Sequence, residues 1–442
     1  MIPILTPAQM AAVDAVAADR MDDLIDRAGR AVALAALDML GGTYGRRVTV
    51  LVGPGNNGAD GRAAAAHLRR RGVRVEMVDA LAPGDRALLA DLVIDAAFGN
   101  GLSRPYTPPP IDPASPVLAV DLPSGVNGLT GERLGDPWPA DRTVTFVALK
   151  PGLVLEPGRS LGGDVQVVDI GLDAGAVSSC AVDDGDVAAL LPRRPVDDHK
   201  WRAAVRVIGG APGMTGAASL AARAAVRLGA GIVQLALPGG RGDEGPTEVV
   251  GHPLPATNWS AEATDGLERI GCVLVGPGLG PASLDDLLAV AATDAALVVD
   301  GDALQPELLA ALSARSAPTV LTPHDGEWAR LGGSTDPDRL AATSAFAIAH
   351  GVTVVRKGPT SVVAGPKGIS RVVTSGTAAL ASAGTGDVLA GAIAALLARG
   401  LDGRDAGVVA AHLHGRAGTE LGVGLLASEV ADRLPDVAHR LR

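Results

Sequence analysis

RVTVLVGPGNNGADGRAAAAHLRRRGVRVEMVDA, Arg47 to Ala80, decides the fold. A run of β-branched and apolar residues reads as a buried strand. A glycine-rich turn follows, then an alanine-rich helix, then a second strand, which is one βαβ unit of a parallel sheet. Gly53, Gly55 and Gly58 satisfy G-x-G-x-x-G directly between strand and helix. Such glycines let a phosphate approach backbone N–H groups at the helix start. Asp79 falls near the end of the second strand, where a dinucleotide fold keeps its ribose-binding acid. A nicotinamide dehydrogenase domain is therefore the first reading. The side chains of the loop argue against it. Two amides and a carboxylate, Asn56, Asn57 and Asp60, surround the place where a bare phosphate loop avoids negative charge.

Outward from this unit the alternation continues. ALAALDML reads as a helix before it. RALLADLVIDAAFG reads as a helix and then a strand ending at Asp95, and VLAVDLPSG as a strand ending at Asp121. TVTFVALKPG and DVQVVDIGL read as further strands. The expectation is a Rossmann-like, doubly wound parallel sheet, with strand ends converging on one crevice. Oxygen ligands from Asn57, Asp95 and Ser124 would suit a hard cation there. The pattern breaks at LLPRRPVDDHKW, Leu190 to Trp201, with prolines, charge and no periodicity. Two domains are expected, residues 1–190 and 197–442. Beyond the break come VRVIGG, an alanine-rich helix from about Ala217, IVQLALPG, CVLVGPGLG, ALVVDGDAL, TVLTPHDGE and VTVVRKGPTSVVAG, which make a second α/β domain.

The chain has 442 residues, 47% hydrophobic and 20% charged, with a net charge of −11. That balance fits folded domains and disfavours nucleic acid or an anionic membrane as partners. Aromatics are only 2%, so backbone amides are the expected ligand-binding tools. Cys180 and Cys272 are far apart and suggest neither a disulfide framework nor a thiolate metal site. Asp14 and Asp19 interrupt what a signal peptide needs as an apolar core, and VLAGAIAALLA is too short to span a bilayer. A cytoplasmic enzyme that self-associates as a homo-oligomer is expected.

SAGTGDVLAG, Ser382 to Gly391, carries a different chemistry. Gly384 and Gly386 present amides at a helix N-terminus, an anion hole for a transferring phosphoryl group. Asp387, one residue further in, can accept a substrate hydroxyl proton as that oxygen attacks phosphorus. By itself this is the pattern of a ribokinase-like small-molecule kinase. His412 and His414, at i and i+2, face apart on a helix and suit packing better than a zinc pair.

GPGNNGADG, DAAFGNGLSRP, AVDLPSGVNGLTG and TVTFVALKPGLVLEPGRSLGGDVQVVDIGL, in that order, resemble the NAD(P)H-hydrate epimerase domain over most of residues 1–190. The resemblance implies that Asn56, Asn57, Gly58, Ala59 and Asp60 contact a hydrated nicotinamide nucleotide. It implies the same of Gly99, Asn100, Gly101, Leu102, Ser103, Arg104 and Pro105. It implies potassium on Asn57, Asp95 and Ser124, and ligand binding by Asp121. Asp121 and Lys150 would then be the acid/base pair that opens and closes the hydrated ring at C6. Two positions depart from the family pattern: Ala59 stands for glycine and Asn100 for threonine. Ala59 would weaken binding if its backbone needed a positive φ.

VIGGAPGMTGAASLAARAAVRLGAG, VLVGPGLG, LTPHDGEWARLGG, VRKGPTSVV and GTGDVLAG resemble the ADP- or ATP-dependent NAD(P)H-hydrate dehydratase domain over about 197–442. That implies hydrate contacts from Ala217, Gly278, His324 and Asp387. It implies nucleotide contacts from Lys357, Gly358, Pro359, Thr360, Ser361 and Gly386, with magnesium accompanying ADP or ATP. Asp325 replaces the usual proline and Gln305 the usual asparagine. The substrates implied are NADHX and NADPHX, the NADH and NADPH hydrates. A dehydratase of this type takes only the S epimer, so an epimerase beside it would rescue the R epimer. Two other functions compete: a vitamin-precursor kinase fused to a dinucleotide-binding module, and a first domain that only senses a ligand.

Overall fold

The computed structural model describes residues 1–84, 87–242 and 244–442. They form two compact units, Ile2–Cys180 and Ala181–Arg442.

In the first unit helix α1 (Met21–Leu40) precedes strand β1 (Arg47–Val52). Helix α2 (Asn56–Arg70) leads to β2 (Arg74–Asp79), β3 (Leu92–Ala96), β4 (Val117–Val120), β5 (Arg142–Phe146) and β6 (Asp164–Val168). The sheet order is β2-β1-β3-β4-β5-β6, and every pairing is parallel. Alternate residues point to opposite faces. Val48, Val50, Leu92, Ile94 and Leu118 pack with Val32, Ala36 and Leu68 of the helices. Leu51, Val93, Val117 and Ala119 fill the other face with Trp138. Both faces are covered, as a parallel sheet requires. The chain order reverses beside β1, so the ends of β1 and β3 open the crevice in which such sheets bind ligands.

Two expectations are corrected. The helix read over RALLAD, part of which lies outside the described residues, does not form over the remainder. Leu88 makes an isolated parallel bridge with Ile111, and its N–H donates to the Pro110 carbonyl at 2.9 Å. A segment of one or two turns has too little helical stability to resist that pairing. The β4 strand ends at Val120, because Asp121 takes a φ of 67° and turns the chain out of the sheet.

The second unit strings β7 (Ala204–Ile208), α3 (Thr215–Arg227), β8 (Ile232–Pro238), β9 (Val250–Leu254), β10 (Cys272–Val275), β11 (Ala296–Val299) and β12 (Thr319–Leu321). Then come α4 (Asp325–Arg330), β13 (Thr353–Arg356), β14 (Ser361–Ala364), β15 (Ser370–Val373), α5 (Thr385–Ala398), α6 (Gly403–Leu421) and α7 (Ala427–Leu441). These strands run in the order β15-β14-β13-β12-β11-β10-β7-β8-β9. Only β13–β14 and β14–β15 are antiparallel. Residues 388–398 are buried throughout, so VLAGAIAALLA is a core helix. Among the described residues, no helix is long and apolar enough to cross a membrane. A Cβ on Gly391 of α5 would lie 2.0 Å from the Ala221 carbonyl oxygen of α3, so the two helices cross backbone against backbone.

Candidate active sites

In the first unit a cavity of about 510 Å³ opens at the ends of β1 and β3. A close backbone approach fixes the turn behind it: a Cβ on Gly58 would lie 1.9 Å from the Gly53 carbonyl oxygen, so the turn admits only glycine. Asn56 and Asn57 open α2, and Asp60 lies one turn further along the same wall. Gly99 through Arg104 form the facing loop, with Asp121 and Lys150 below. Gly58, Ala59 and Pro105 are not part of the wall. Ala59 is helical, and its N–H donates to the Gly55 carbonyl at 3.0 Å. No positive φ is needed there, so the departure from glycine brings no backbone strain. Asp79 stays outside as well. It is exposed, and its carboxylate caps its own turn at the Leu81 N–H, 2.9 Å away, which removes the dehydrogenase reading's ribose ligand.

Asp121 is tightly held. Its Oδ1 lies 2.7 Å from Lys150 Nζ and accepts from Thr145 Oγ1 at 3.1 Å. Its Oδ2 accepts from the Asn100 N–H at 3.0 Å. Lys150 is only 1% exposed. Its ammonium also donates to Thr145 Oγ1 at 2.8 Å and to the carbonyls of Phe146 at 3.0 Å and Ala148 at 3.3 Å. Asp60 has the opposite surroundings. It is buried, and no hydrogen bond or ion pair to it forms among the described residues. Burial, followed by the charges of Asp121 and Asp14, pushes its carboxyl up to about 8 against the opposing pull of Lys150. Asp14, from the helix Pro7–Val16, also lines the cavity. Neither Asp14 nor Thr145 was singled out from sequence. Asp14 belongs to no glycine motif, and only packing brings it here.

Asp95 and Ser124 form a second cluster, and the Asn57 side chain lies beside Gly99. Asp95 is fully buried and accepts from Ser124 Oγ at 2.6 Å and the Ser124 N–H at 2.8 Å. Burial pushes its carboxyl above the usual range. Both side-chain amide atoms of Asn57 are buried without a partner. An anionic oxygen, a hydroxyl and an unpaired amide make an oxygen donor set that fits a hard cation.

In the second unit, Gly384 caps α5 with a φ of 88°, a left-handed conformation that glycine adopts without strain. Thr385 Oγ1 donates back to the Leu380 carbonyl at 2.7 Å and fixes the turn. The first-turn amides of α5 are thereby aimed outward for an anion. Lys357 stands beside them: a Cβ on Gly386 would lie 3.5 Å from its Nζ. The ammonium pairs with Asp300 at 2.8 Å and Glu327 at 3.5 Å. Asp387 is pushed up to about 7, by burial first and then by Asp300, with Lys357 opposing and Asp302 and Glu327 adding to the rise. A base with that affinity for protons matches work near neutrality.

A cavity of about 440 Å³ adjoins this turn, lined among others by Lys357, Gly358, Pro359, Ser361 and Gly386. Thr360 is buried behind them. Asp387, Ala217 and Gly278 are not part of this wall. The last two meet one another: a Cβ on Gly278 would lie 2.9 Å from that of Ala217. His324 reaches the cavity and also caps α4, its Nδ1 accepting from Gly326 N–H at 3.0 Å and Glu327 N–H at 3.1 Å. Asp325 sits at the rim, paired with Arg339 at 2.6 Å and Arg356 at 2.9 Å. Gln305 only turns back to the Asp302 carbonyl. His412 bonds Asp184 at 2.7 Å, whereas His414 lines the cavity. Among the described residues, no group of three or more His, Cys, Asp or Glu side chains is arranged to hold a metal ion. The carboxylates around Asp387 escaped sequence reading because they come from two segments distant from it, Asp300–Asp302 and Glu327.

Comparison with known proteins gives both halves a family. Residues 205–435 match the NAD(P)H-hydrate dehydratase family. Residues 21–88 and 82–152 match the family described as YjeF-related protein N-terminus. The bifunctional NAD(P)H-hydrate repair enzyme Nnr of Moorella thermoacetica is 34% identical, over 99% of this chain and 97% of its own length. Its counterpart in Mycobacterium leprae is 39% identical, over 85% of this chain and 84% of its own. Among solved structures, the ADP/ATP-dependent NAD(P)H-hydrate dehydratase of Bacillus subtilis, co-crystallised with ATP and Mg2+, is 30% identical with a TM-score of 0.52. It covers 59% of this chain and 98% of its own.

Proposed function

This chain belongs to the family of bifunctional NAD(P)H-hydrate repair enzymes, and we propose that its two cavities divide that repair between them. The epimerase lies within residues 1–190 and the dehydratase within 197–442. In the second cavity ADP or ATP binds along Lys357–Ser361, with its terminal phosphate on the α5 amides and Lys357. Magnesium bound with the nucleotide would offset phosphate charge. Asp387 accepts the proton of the C6 hydroxyl as that oxygen attacks phosphorus. The ring-nitrogen lone pair then expels phosphate, a proton leaves C5, and NAD(P)H is restored. The observation that carries this reading is the half-buried Asp387 carboxyl, within electrostatic reach of the Lys357 ammonium at the anion-binding turn.

In the first cavity the hydrate lies between Asn56–Asp60 and Gly99–Arg104, over Asp121. The Asp121 carboxylate, fixed by Lys150 and Thr145, takes the C6 hydroxyl proton so that the ring opens. Asn57, Asp95 and Ser124 hold potassium, which would neutralise the buried Asp95 charge and shape the loop.

The test is to hydrate NADH to its mixed epimers, add the chain with magnesium, and follow the return of reduced-nicotinamide absorbance. Complete recovery with one of ADP or ATP identifies the donor. Recovery that halts at the S fraction overturns the epimerase assignment. A stable phosphorylated product would instead mark a vitamin-precursor kinase. The cation is tested separately. Asp95→Ala is expected to lower epimerase activity at least about tenfold and to flatten its response to added KCl, read by chromatography of the two epimers. An unchanged potassium response would remove these three residues from the cation site.

A further inference from the structure

We propose that Asp60 is the proton donor of the epimerase, working opposite Asp121 as its second acid/base group. The inference rests on the ring-opening reading of the first cavity. Opening the hydrate needs two proton movements at once: the C6 hydroxyl must lose one and the ring nitrogen N1 must gain one. Asp121 is built for the first. One of its oxygens faces Lys150 and Thr145, and the other accepts the Asn100 amide.

Lys150 is poorly placed for the second movement. It is buried beneath Asp121, and its N–H groups are engaged by Thr145, Phe146, Ala148 and Asp121 itself. The acid role expected of it from sequence passes to another group, and Lys150 becomes a positioning residue.

Asp60 lines the same cavity with no partner to stabilise its charge. The charged groups acting on it are Asp121, Asp14 and Lys150. On its own helix Arg62 is turned to the Gly53 carbonyl, and His67 is engaged by Asp26 of α1. Burial first, and then the Asp121 and Asp14 carboxylates, outweigh the pull of Lys150. The carboxyl therefore keeps its proton at neutral pH, with a value of about 8. Two carboxyls in one site, one ionised and one protonated, form an acid/base pair.

The step balances. The C6–N1 bond breaks as Asp121 takes the hydroxyl proton and Asp60 gives its proton to N1. The product is an open aldehyde with a conjugated N–H. Rotation about C5–C6 presents the other face of the aldehyde. N1 then attacks it, Asp60 recovers its proton from nitrogen, and Asp121 returns its own to oxygen. Both groups end as they began.

The test follows exchange of purified (R)-NADHX into the S epimer by the whole chain. ADP and ATP are omitted so that the dehydratase is silent, and the spontaneous rate is subtracted. Wild-type kcat is expected to fall as pH rises through about 8. Asp60→Asn should lower kcat by about 10²-fold or more, with KM within a few-fold, and should remove that alkaline limb. Asp14→Asn, which deletes one repelling charge, should move the limb to lower pH and provides the test even if Asp60→Asn fails to fold. An Asp60→Asn chain with wild-type kcat, or an alkaline limb that Asp14→Asn leaves in place, overturns the proposal. A wild-type chain with no exchange above the spontaneous rate overturns the epimerase reading beneath it instead.

Discussion

Asp387→Asn is expected to abolish dehydration of (S)-NADHX, lowering kcat by about 10³-fold or more, while epimer exchange continues at its wild-type rate. The amide keeps the size of the carboxyl and its place in the first turn of α5, so the fold should persist. It cannot accept the hydroxyl proton, and a positioned general base contributes about 10²–10⁴-fold. Repulsion from Asp300 is also relieved, so nucleotide binding should hold or tighten, which calorimetry with ADP can read. In the wild type, dehydration should rise with pH through about 7, because only the ionised Asp387 is a base and its carboxyl is pushed up to about that value. Loss of both activities in a folded variant would contradict two independent sites.

The second large effect is expected at Asp121. Its φ of 67° is one that asparagine tolerates better than most residues. Asp121→Asn should therefore keep the backbone, whereas alanine would add strain. Lys150 would lose its counter-charge, yet Thr145 and the Phe146 and Ala148 carbonyls still accept its hydrogens. Epimerase kcat should fall by about 10²–10⁴-fold with the dehydratase untouched. A variant within a few-fold of wild type, after subtraction of spontaneous exchange, would show that Asp121 only binds.

Parts of these sites were legible because they are local. GPGNNGADG is a strand end, a turn and a helix start, so its backbone geometry follows from neighbouring residues. GTGDVLAG is the same kind of signal, and the place of Asp387 inside the first turn follows from it. Other parts belong to tertiary structure. Asp14 reaches the first cavity from a helix that precedes the sheet. Asp300 reaches Lys357 from the end of β11 and Glu327 from the first turn of α4. No local pattern announces such meetings. Two local readings failed for physical reasons. Asp79 matched a dinucleotide fingerprint in position but spends its carboxylate on its own turn. RALLAD had helical composition, but Leu88 pairs with Ile111 instead.

The close approach of Gly391 to the Ala221 carbonyl packs α3 and α5 backbone against backbone. Each helix also carries, at or near its N-terminus, part of the proposed dehydratase site: Ala217 on α3, and Gly386 and Asp387 on α5. The spacing of these proposed site residues thus depends on packing in the interior, where the two helices meet at Gly391 and Ala221. Surface loops can drift through evolution or be exchanged by engineering while this helix packing is kept. A single methyl group at position 391 would force the two helices apart.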